Sequence, residues 1–514
     1  MTATTFARLR ATDPSRWRMA AVAWRSWAAT VGRWSAELRS HTARLATAWS
    51  GAAADAALAG AERLRRRLDL FRVACWQADQ ALSEFAAALA RAQTLLATAV
   101  AAAGGAGLQI DDAGTVHGPA CAQLTATATA LRSALTVAAD ADSAASGRLV
   151  ALADMSAAPI AGTLPSCAAG PAEIRRWWDG LTPAQRRWLV AANPAFVAPL
   201  DGVPAADRDT ANRLLLDERR AELDRAIAGA HGPDRTRLRA MRDGLNVLTD
   251  RLAGGDGPRA YLLRLDLTGE GRAVVALGDP DRSADVLTHV PGMTADLASY
   301  NGELSRAERV AERAAELAPA TATSAVLWLD YDAPDFVDEA ASPRQAQAGA
   351  AGLRRFQDGL RASHLDGTAH QTVLGHSYGS LLVGSAATQP GLQAGDVVFV
   401  GSPGVGVDSA KELHAGQVWS TTSRSDVIQH LPEAPRSLVG DLAIAALSPV
   451  PGGLAVFARP DDDLWFGTNP SDPKFGAHVF ASQPDGGHLG YWDRGSVALD
   501  AITEITVGRD VTPR

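Results

Sequence analysis

The segment TVLGHSYGSLLVGSAA, residues 372–387, combines a short buried strand, a glycine-rich corner and a helix in immediate succession. Ser377 stands at the corner, in a Gly-x-Ser-x-Gly motif formed with Gly375 and Gly379. A serine on such a tight turn has its hydroxyl exposed, and the glycines leave room where a Cβ would clash. The following helix directs its N-terminal amides at the same point, so the Tyr378 amide can donate to a developing oxyanion. The segment therefore predicts a nucleophile elbow.

Strand-like and helix-like patterns alternate on both sides of this corner. Helices are predicted from about Pro343 to Ser363 and directly after Ser377, and a β-hairpin is predicted from Tyr261 to Leu277 across a Thr-Gly-Glu-Gly turn. The short apolar runs that predict strands are Asp285–His289, Ser324–Leu329, Gln371–Leu374, Asp396–Val400 and Gln417–Thr421. This alternation predicts an α/β fold, with a mainly parallel sheet covered by helices on both faces and the antiparallel hairpin at its edge.

The N-terminal part predicts an all-helical region. Apolar residues recur at spacings of three and four from Trp24 to Trp49, and heptad spacing continues from Leu68 to Leu96. We predict an antiparallel hairpin, turning at Trp49-Ser50-Gly51, in which these two stripes bury each other. A third helix is predicted from about Cys121 to Ala157. The first stripe consists of Trp24, Trp27, Val31, Trp34, Leu38, Leu45 and Trp49, and the second of Leu68, Phe71, Cys75, Ala78, Leu82, Phe85, Leu89, Ala92 and Leu96.

These patterns divide the chain into four predicted parts. Residues 1–158 form the helical N-terminal domain, with its long hairpin and third helix. Residues 159–171 are rich in proline and glycine and form a linker. Residues 172–258 form a helical segment that packs on the α/β domain, which occupies residues 259–514.

Composition excludes several classes of function. A net charge of −8, without a basic stripe interleaved with aromatic residues, argues against nucleic-acid binding. Cys75, Cys121 and Cys167 are too far apart to suggest a disulfide framework or a zinc site. Residues 401–406 are glycine-rich after a strand but lack the lysine of a phosphate loop. We predict no metal and no cofactor.

Location is also predicted from composition. The alanine-rich run at residues 97–106 is too short to cross a bilayer, and no other stretch suggests a span. The first residues lack the apolar core and cleavage site of a signal peptide. The sequence therefore predicts a soluble protein made in the cytoplasm.

A serine hydroxyl becomes a strong nucleophile only when a base removes its proton and a third group orients that base. Among the histidines after Ser377 we select His488, which lies in a glycine-rich loop before the final predicted helix; the others are His414, His430 and His478. Asp426 follows the last predicted strand and is the expected acid, and Asp408 after the preceding strand is its rival. The expected triad is Ser377, Asp426 and His488.

An oxyanion intermediate also requires a second amide donor beside Tyr378, and the loop after the third strand is the expected source. That loop reads Val-Pro-Gly-Met-Thr from residue 290 to residue 294. Gly292 permits close backbone approach, so the amides of Gly292 or Met293 are the candidate donors. A plain turn without this role remains an equally good interpretation.

Several further motifs occur in a fixed order: Leu200-Asp201-Gly202-Val203-Pro204-Ala205, Arg208-Asp209, Asn212-Arg213, His289-Val290-Pro291-Gly292-Met293, Trp328, Tyr331-Asp332-Ala333-Pro334, the elbow, Gly401-Ser402-Pro403-Gly404, and His488 with Tyr491-Trp492. With them, residues 172 to about 505 resemble an actinobacterial α/β-hydrolase family of uncertain substrate, for which a Ser-Asp-His triad is predicted. Asp330 stands where a glycine is more usual. With Asp332 and Asp335 it puts several carboxylates at a strand end, which would disfavour anionic substrates or hydrogen-bond a loop.

The N-terminal hairpin, with Trp49 and Gly51 at its turn, resembles the helical WXG-type proteins handled by type VII secretion systems. The tyrosine motif that commonly follows their second helix is absent, because residues 1–260 contain no tyrosine. Export by a type VII-like route therefore stays open without support from a tail motif. The resemblance also implies a possible helical protein partner, bound through residues 16–103.

Together these features predict a serine hydrolase acting on a small-molecule ester or amide, with ester hydrolysis expected first. An amidase or peptidase with the same triad is the alternative. A different hypothesis makes the hairpin the working part, for interaction or secretion, and the α/β domain a scaffold. The stretch from Leu431 to Phe475, rich in proline, glycine and aspartate, is a candidate lid.

Overall fold

The computed structural model describes residues 5–154, 156–160, 162–166, 168–254, 257–365, 367–430 and 463–512, so most of the candidate lid lies outside the described residues. The N-terminal elements are α1 (Phe6–Ala11), α2 (Pro14–Ala48), α3 (Ala52–Gly105), β1 (Gln109–Ile110), β2 (Val116–His117) and α4 (Ala122–Ala151). Five helices follow: α5 (Pro171–Asp179), α6 (Pro183–Ala192), α7 (Pro194–Val197), α8 (Ala205–Gly229) and α9 (Gly232–Ala253).

The remaining elements form the α/β part. Its strands are β3 (Ala260–Asp266), β4 (Arg272–Leu277), β5 (Asp285–Val290), β6 (Thr323–Leu329), β7 (His370–His376), β8 (Asp396–Val400), β9 (Gln417–Thr421), β10 (Asp463–Leu464), β11 (Gly467–Thr468) and β12 (His478–Val479). Its helices are α10 (Tyr300–Leu317), α11 (Val337–Ala340), α12 (Arg344–Ser363), α13 (Tyr378–Ala387) and α14 (Val497–Thr506).

Eight strands form one sheet in the order β12-β9-β8-β7-β5-β6-β4-β3. The six strands from β12 to β6 run parallel, whereas β4 is antiparallel to both β6 and β3. Every residue of β5 and β8 is buried, as expected for parallel strands with both faces covered. The predicted α/β class, with a mainly parallel sheet and the hairpin at its edge, is confirmed.

Helices on this sheet pack in pairs. Helix α10 packs against α14, and α12 packs against α13. The crossover connections make these strands parallel, so their carboxyl ends all lie at the same edge of the sheet. The ends of β5, β7, β8 and β9 consequently lie side by side, and the loops that leave them can share one site.

Helices α2 and α3 form the predicted hairpin and turn at Trp49-Ser50-Gly51, but its interface differs from the prediction. Of the α2 stripe, Val31 is buried, whereas Trp24, Trp27, Trp34 and Trp49 are 36% to 52% exposed. The buried residues of α2 are Ala21, Ala28, Val31, Gly32 and Ser35. Small residues form this face of α2. Polar contacts such as that of Ser35 with Asp69 at 3.0 Å cross the interface, and they require the two helices to approach each other closely.

A buried ion network joins α3 to the α/β part. Asp79 has no exposed side-chain surface and contacts Arg25 at 2.6 Å and Arg259 at 2.9 Å. Arg259 also contacts Asp209 at 2.8 Å, and Asp209 pairs with Arg213 at 2.7 Å. Each buried charge is compensated only by its partners, so helix α3 has a defined register against α8 and β3.

Two further expectations need correction. The third helix, α4, ends at Ala151 rather than near Ala157. Within the described residues, one helix, Ala52–Gly105, is long and apolar enough to cross a membrane by length and composition alone, although the sequence indicated none. Much of its apolar character comes from alanine, and core helices of globular proteins satisfy the same criterion.

Removal of Asp79 tests the ion network. We expect Asp79→Ala to lower the free energy of unfolding by about 3–5 kcal/mol, because Arg25 and Arg259, whose side chains are only 13% and 5% exposed, lose a partner. Asp140→Ala, at an exposed position of α4, is the matched control and should change it by less than about 0.5 kcal/mol. Urea unfolding followed by circular dichroism measures both, and equal effects would contradict the proposed importance of the network.

Candidate active site

The predicted corner lies between β7, which ends at His376, and α13, which begins at Tyr378. Ser377 has φ 52° and ψ −130°, a backbone conformation that non-glycine residues rarely adopt. A Cβ on Gly375 would lie 2.6 Å from the Ser380 Cα, and a Cβ on Gly379 would lie 2.4 Å from the Val290 carbonyl oxygen. Both flanking glycines are therefore required by close backbone packing.

The structure brings His488 and Asp426 into contact across two loops. The His488 Nδ1 lies 2.9 Å and 3.0 Å from the two carboxylate oxygens of Asp426. With Asp426 ionised, Nδ1 donates to the carboxylate and Nε2 carries the lone pair. This tautomer leaves Nε2 free to accept a proton.

The rival acid, Asp408, is elsewhere. Its Oδ1 accepts hydrogen bonds from the Thr468 amide at 3.1 Å and the Thr468 hydroxyl at 3.3 Å. Asp408 lines a cavity of about 600 Å³ that includes neither Ser377 nor His488 among its lining residues. Of the two carboxylates considered from the sequence, Asp426 is the one that contacts His488.

Serines and a tyrosine join the loop of Asp426 to the loop of His488. The Gly487 amide donates to the Ser425 hydroxyl at 2.8 Å, and the Ser423 hydroxyl donates to the Gln483 carbonyl at 2.6 Å. The Tyr491 hydroxyl donates to Asp426 at 2.5 Å and accepts from the Ser423 amide at 2.9 Å. The sequence places Tyr491 in a motif with His488 but does not predict its contact with Asp426, which lies far away along the chain.

Asp426 is ionised despite complete burial. Burial alone raises the pKa of its carboxyl, but the His488 charge and hydrogen bonds from His488, Tyr491 and the Ile428 amide outweigh it. The net result is a pKa below the ordinary aspartate value. A carboxylate that stays charged beside an imidazole stabilises the protonated imidazole, which is the requirement for a base that must accept a proton.

His376 fixes the position of the His488 backbone. Its Nε2 donates to the His488 carbonyl oxygen at 3.0 Å, its Nδ1 faces Arg306 at 3.4 Å, and the two imidazole rings are 4.8 Å apart. Burial, and then the charges of His488 and Arg306, hold the pKa of His376 well below the ordinary histidine value. The residue directly before Ser377 is thus a neutral, buried donor to the loop of His488.

Arg306 in turn is held from helix α10. Its Nη1 contacts both Glu303 oxygens at 2.7 Å, and its guanidinium lies 5.1 Å from the centre of the Trp492 ring. Glu303 also contacts buried His289 at 3.3 Å. The sequence gives no sign of a role for His376, Arg306 or Glu303, because residues so far apart produce no periodic pattern.

The candidate oxyanion donors lie against the serine. A Cβ on Gly292 would lie 2.6 Å from the Ser377 Cβ and 3.2 Å from its Oγ, so the loop backbone touches the nucleophile candidate. Within the described part of the chain, the amides of Tyr378, Gly292 and Met293 donate no backbone hydrogen bond. Thr294, directly after Met293, has φ 64°, so the backbone turns sharply at this end of the loop.

Carboxylates cluster next to this loop. The Tyr331 hydroxyl donates to the Pro291 carbonyl at 2.7 Å, which ties the segment with Asp332 and Asp335 to the loop. Burial and then the nearby Asp335 raise the pKa of Glu270 to about 7. Asp330 pairs with Arg264 at 2.8 Å. Among the described residues, no group of histidine, cysteine and acidic side chains could hold a metal ion.

The parallel sheet, the corner and the adjoining loops define the α/β-hydrolase fold. In agreement, residues 266–435 match the model of a family described as alpha/beta hydrolase. This segment contains Ser377 and Asp426, whereas His488 lies beyond it.

Relatives come from mycobacteria. The uncharacterized protein Rv2079 of Mycobacterium tuberculosis is 31% identical over 382 residues, which cover 67% of this chain and 57% of that protein. The uncharacterized protein Rv0963c of the same species is 35% identical over 179 residues, covering 33% of this chain and 66% of the relative. The chain therefore spans little more than half the length of Rv2079. A solved hyperthermophilic esterase from the archaeon Pyrobaculum calidifontis has 12% identity and a TM-score of 0.26, covering 57% of this chain and 96% of the esterase, a similarity too low to support an argument.

The strained backbone of Ser377 gives a stability prediction. Ser377→Gly should raise the free energy of unfolding by about 1 kcal/mol, because glycine adopts this φ without strain. Ser377→Ala keeps the strain and should leave the stability within about 0.5 kcal/mol of wild type. Chemical denaturation compares the two variants, and a Ser377→Gly variant no more stable than Ser377→Ala would show that the corner stores no strain.

The burial of His376 predicts how stability depends on pH. The unfolded chain protonates His376 below about pH 6.5, whereas the folded protein keeps it neutral. The contribution of buried, neutral His376 to the free energy of unfolding is therefore complete above pH 6.5, and it is lost as the pH falls. His376→Gln should show a smaller fall in Tm than wild type between about pH 7.5 and pH 5. His41→Asn, at an exposed position, should keep the wild-type slope.

Proposed function

We propose that this protein is a serine hydrolase that cleaves carboxylic esters through an acyl-Ser377 intermediate. One observation carries the proposal: the His488 imidazole is hydrogen-bonded to buried Asp426 and is anchored, through its backbone, to the residue directly before Ser377. A nucleophile, a base and an orienting acid are the three roles that acyl transfer requires. The match of residues 266–435 to an alpha/beta hydrolase family supports the same class.

In the proposed reaction, the Ser377 Oγ attacks the ester carbonyl while the His488 Nε2 accepts the hydroxyl proton. Asp426 orients the imidazole and stabilises its positive charge. The amides of Tyr378 and of Gly292 or Met293 donate to the oxyanion of the tetrahedral intermediate. The protonated His488 then gives its proton to the departing alcohol, and the acyl group remains on Ser377.

Water completes the cycle. His488, neutral again, accepts a proton from a water molecule that attacks the acyl carbonyl. The second tetrahedral intermediate releases the carboxylic acid and restores the Ser377 hydroxyl. Esters are proposed ahead of amides because an ester carbonyl is less stabilised by resonance than an amide carbonyl and is attacked more readily, although both substrates give an acyl-Ser377 intermediate.

Two aspartates offer a matched test of the proposed triad. Asp426→Asn should lower kcat for a p-nitrophenyl ester by about 10⁴-fold, because the amide no longer holds the required tautomer. Asp408→Asn should change kcat by less than about twofold, since Asp408 does not contact His488. Steady-state kinetics on both variants, with Ser377→Ala as the inactive reference, measures the difference.

Either of two results would contradict the proposal. Activity that survives in Ser377→Ala would exclude the acyl-serine intermediate. A loss in Asp408→Asn as large as that in Asp426→Asn, with both variants folded, would exclude the assigned acid. Faster cleavage of a matched anilide than of the ester would instead favour the amidase alternative.

A further inference from the structure

The end of the α2–α3 hairpin stands clear of every hydrophobic core in the described part of the chain. We define the hairpin tip as residues 33–67, where only Ser35 and Ala54 are buried. Trp34, Leu45, Trp49 and Leu64 are between 40% and 51% exposed, and none belongs to a buried cluster. Large apolar side chains grouped on a surface in this way mark a binding surface.

The same part of the hairpin is basic in an acidic protein. Residues 33–67 contain 7 arginines and 3 acidic residues, a net charge of +4 in a chain with a total of −8. Four exposed arginines of the tip form no ion pair with a described carboxylate: Arg33, Arg44, Arg63 and Arg67. Arg39 of the tip pairs with Glu218 of α8 at 3.7 Å, with both side chains half exposed, whereas the buried pair of Asp79 with Arg259 lies further along α3 from the tip.

We propose that the hairpin tip binds the surface of an anionic lipid bilayer, with its tryptophans and leucines in the headgroup region and its arginines on lipid phosphates. Tryptophan and arginine on one exposed helical element are the combination that favours the membrane interface. Arginine adds attraction to an anionic headgroup, and the rest of the chain, with its negative charge, stays in water. This is peripheral binding and requires no membrane-spanning helix.

Charge also argues against a second copy as the occupant. Two tips facing each other would bring their arginines together, and like charges across an interface are unfavourable. An acidic protein partner would satisfy the charge, and the experiment distinguishes it from lipid. The proposal depends on the hairpin alone and is independent of the proposed esterase activity.

Vesicle binding by the full chain tests the proposal. Wild type should sediment with vesicles of phosphatidylcholine mixed with phosphatidylglycerol, and added salt should weaken the binding. Arg44→Gln with Arg63→Gln should lower the partition coefficient roughly 25-fold, about fivefold for each charge. Leu45→Ser with Trp49→Ser should also lower it, at least tenfold by loss of apolar burial.

Matched controls carry the same changes elsewhere. Arg225→Gln with Arg239→Gln removes two exposed arginines outside the hairpin, and Val150→Ser changes an exposed valine of α4; both should bind as wild type does. Thermal unfolding confirms that each variant is folded, and ester turnover in detergent-free buffer should be equal in all of them. Wild type that ignores anionic vesicles, or binding that both tip variants retain, would overturn the proposal. So would a dimer in sedimentation velocity that the tip variants dissociate.

Discussion

The left-handed backbone of Ser377 is the constraint on which the candidate site depends. The chain must leave β7 and enter α13 within one residue, and φ 52° makes this possible at a cost in strain. The neighbouring strands hold the corner, since the Ser377 amide donates to the Val400 carbonyl at 3.0 Å and Gly379 packs against the end of β5. The hydroxyl is therefore presented by three strands of a rigid sheet rather than by a flexible loop.

Around this corner, hydrogen bonds and ion pairs, rather than apolar packing, hold the side chains in position. Asp426 is buried and charged, so it needs the hydrogen bonds of His488, Tyr491 and Ile428, and those bonds fix the two loops against each other. Gly401, with φ 54°, lies directly behind the pair, where a Cβ would be 2.7 Å from an Asp426 oxygen. His376 adds a donor from the sheet side, and burial together with the charges of His488 and Arg306 keeps it neutral. The candidate site is thus positioned by groups whose protonation states depend on each other.

Much of this arrangement was predictable, because it depends on sequence patterns within short segments of the chain. Strand and helix periodicity located the sheet, and the glycines around Ser377 indicated a close-packed corner. The choice of His488 and Asp426 followed from their places in the predicted order of loops. Contacts such as Tyr491 with Asp426, or Arg306 with His376, could not be predicted, since they depend on the relative positions of distant segments. The prediction that the stripe from Trp24 to Trp49 is buried in the hairpin was wrong, because small residues and ion pairs, rather than large apolar residues, form the hairpin interface.

The most direct test of the central claim is covalent labelling of the purified protein with a fluorophosphonate probe, followed by mass spectrometry to locate the modified residue. We expect one modified residue, Ser377, and a loss of labelling in a His488→Ala variant that circular dichroism shows to be folded, because only an activated serine attacks the probe. Labelling at another residue, equal labelling of the His488→Ala variant, or none in folded wild type, would contradict it.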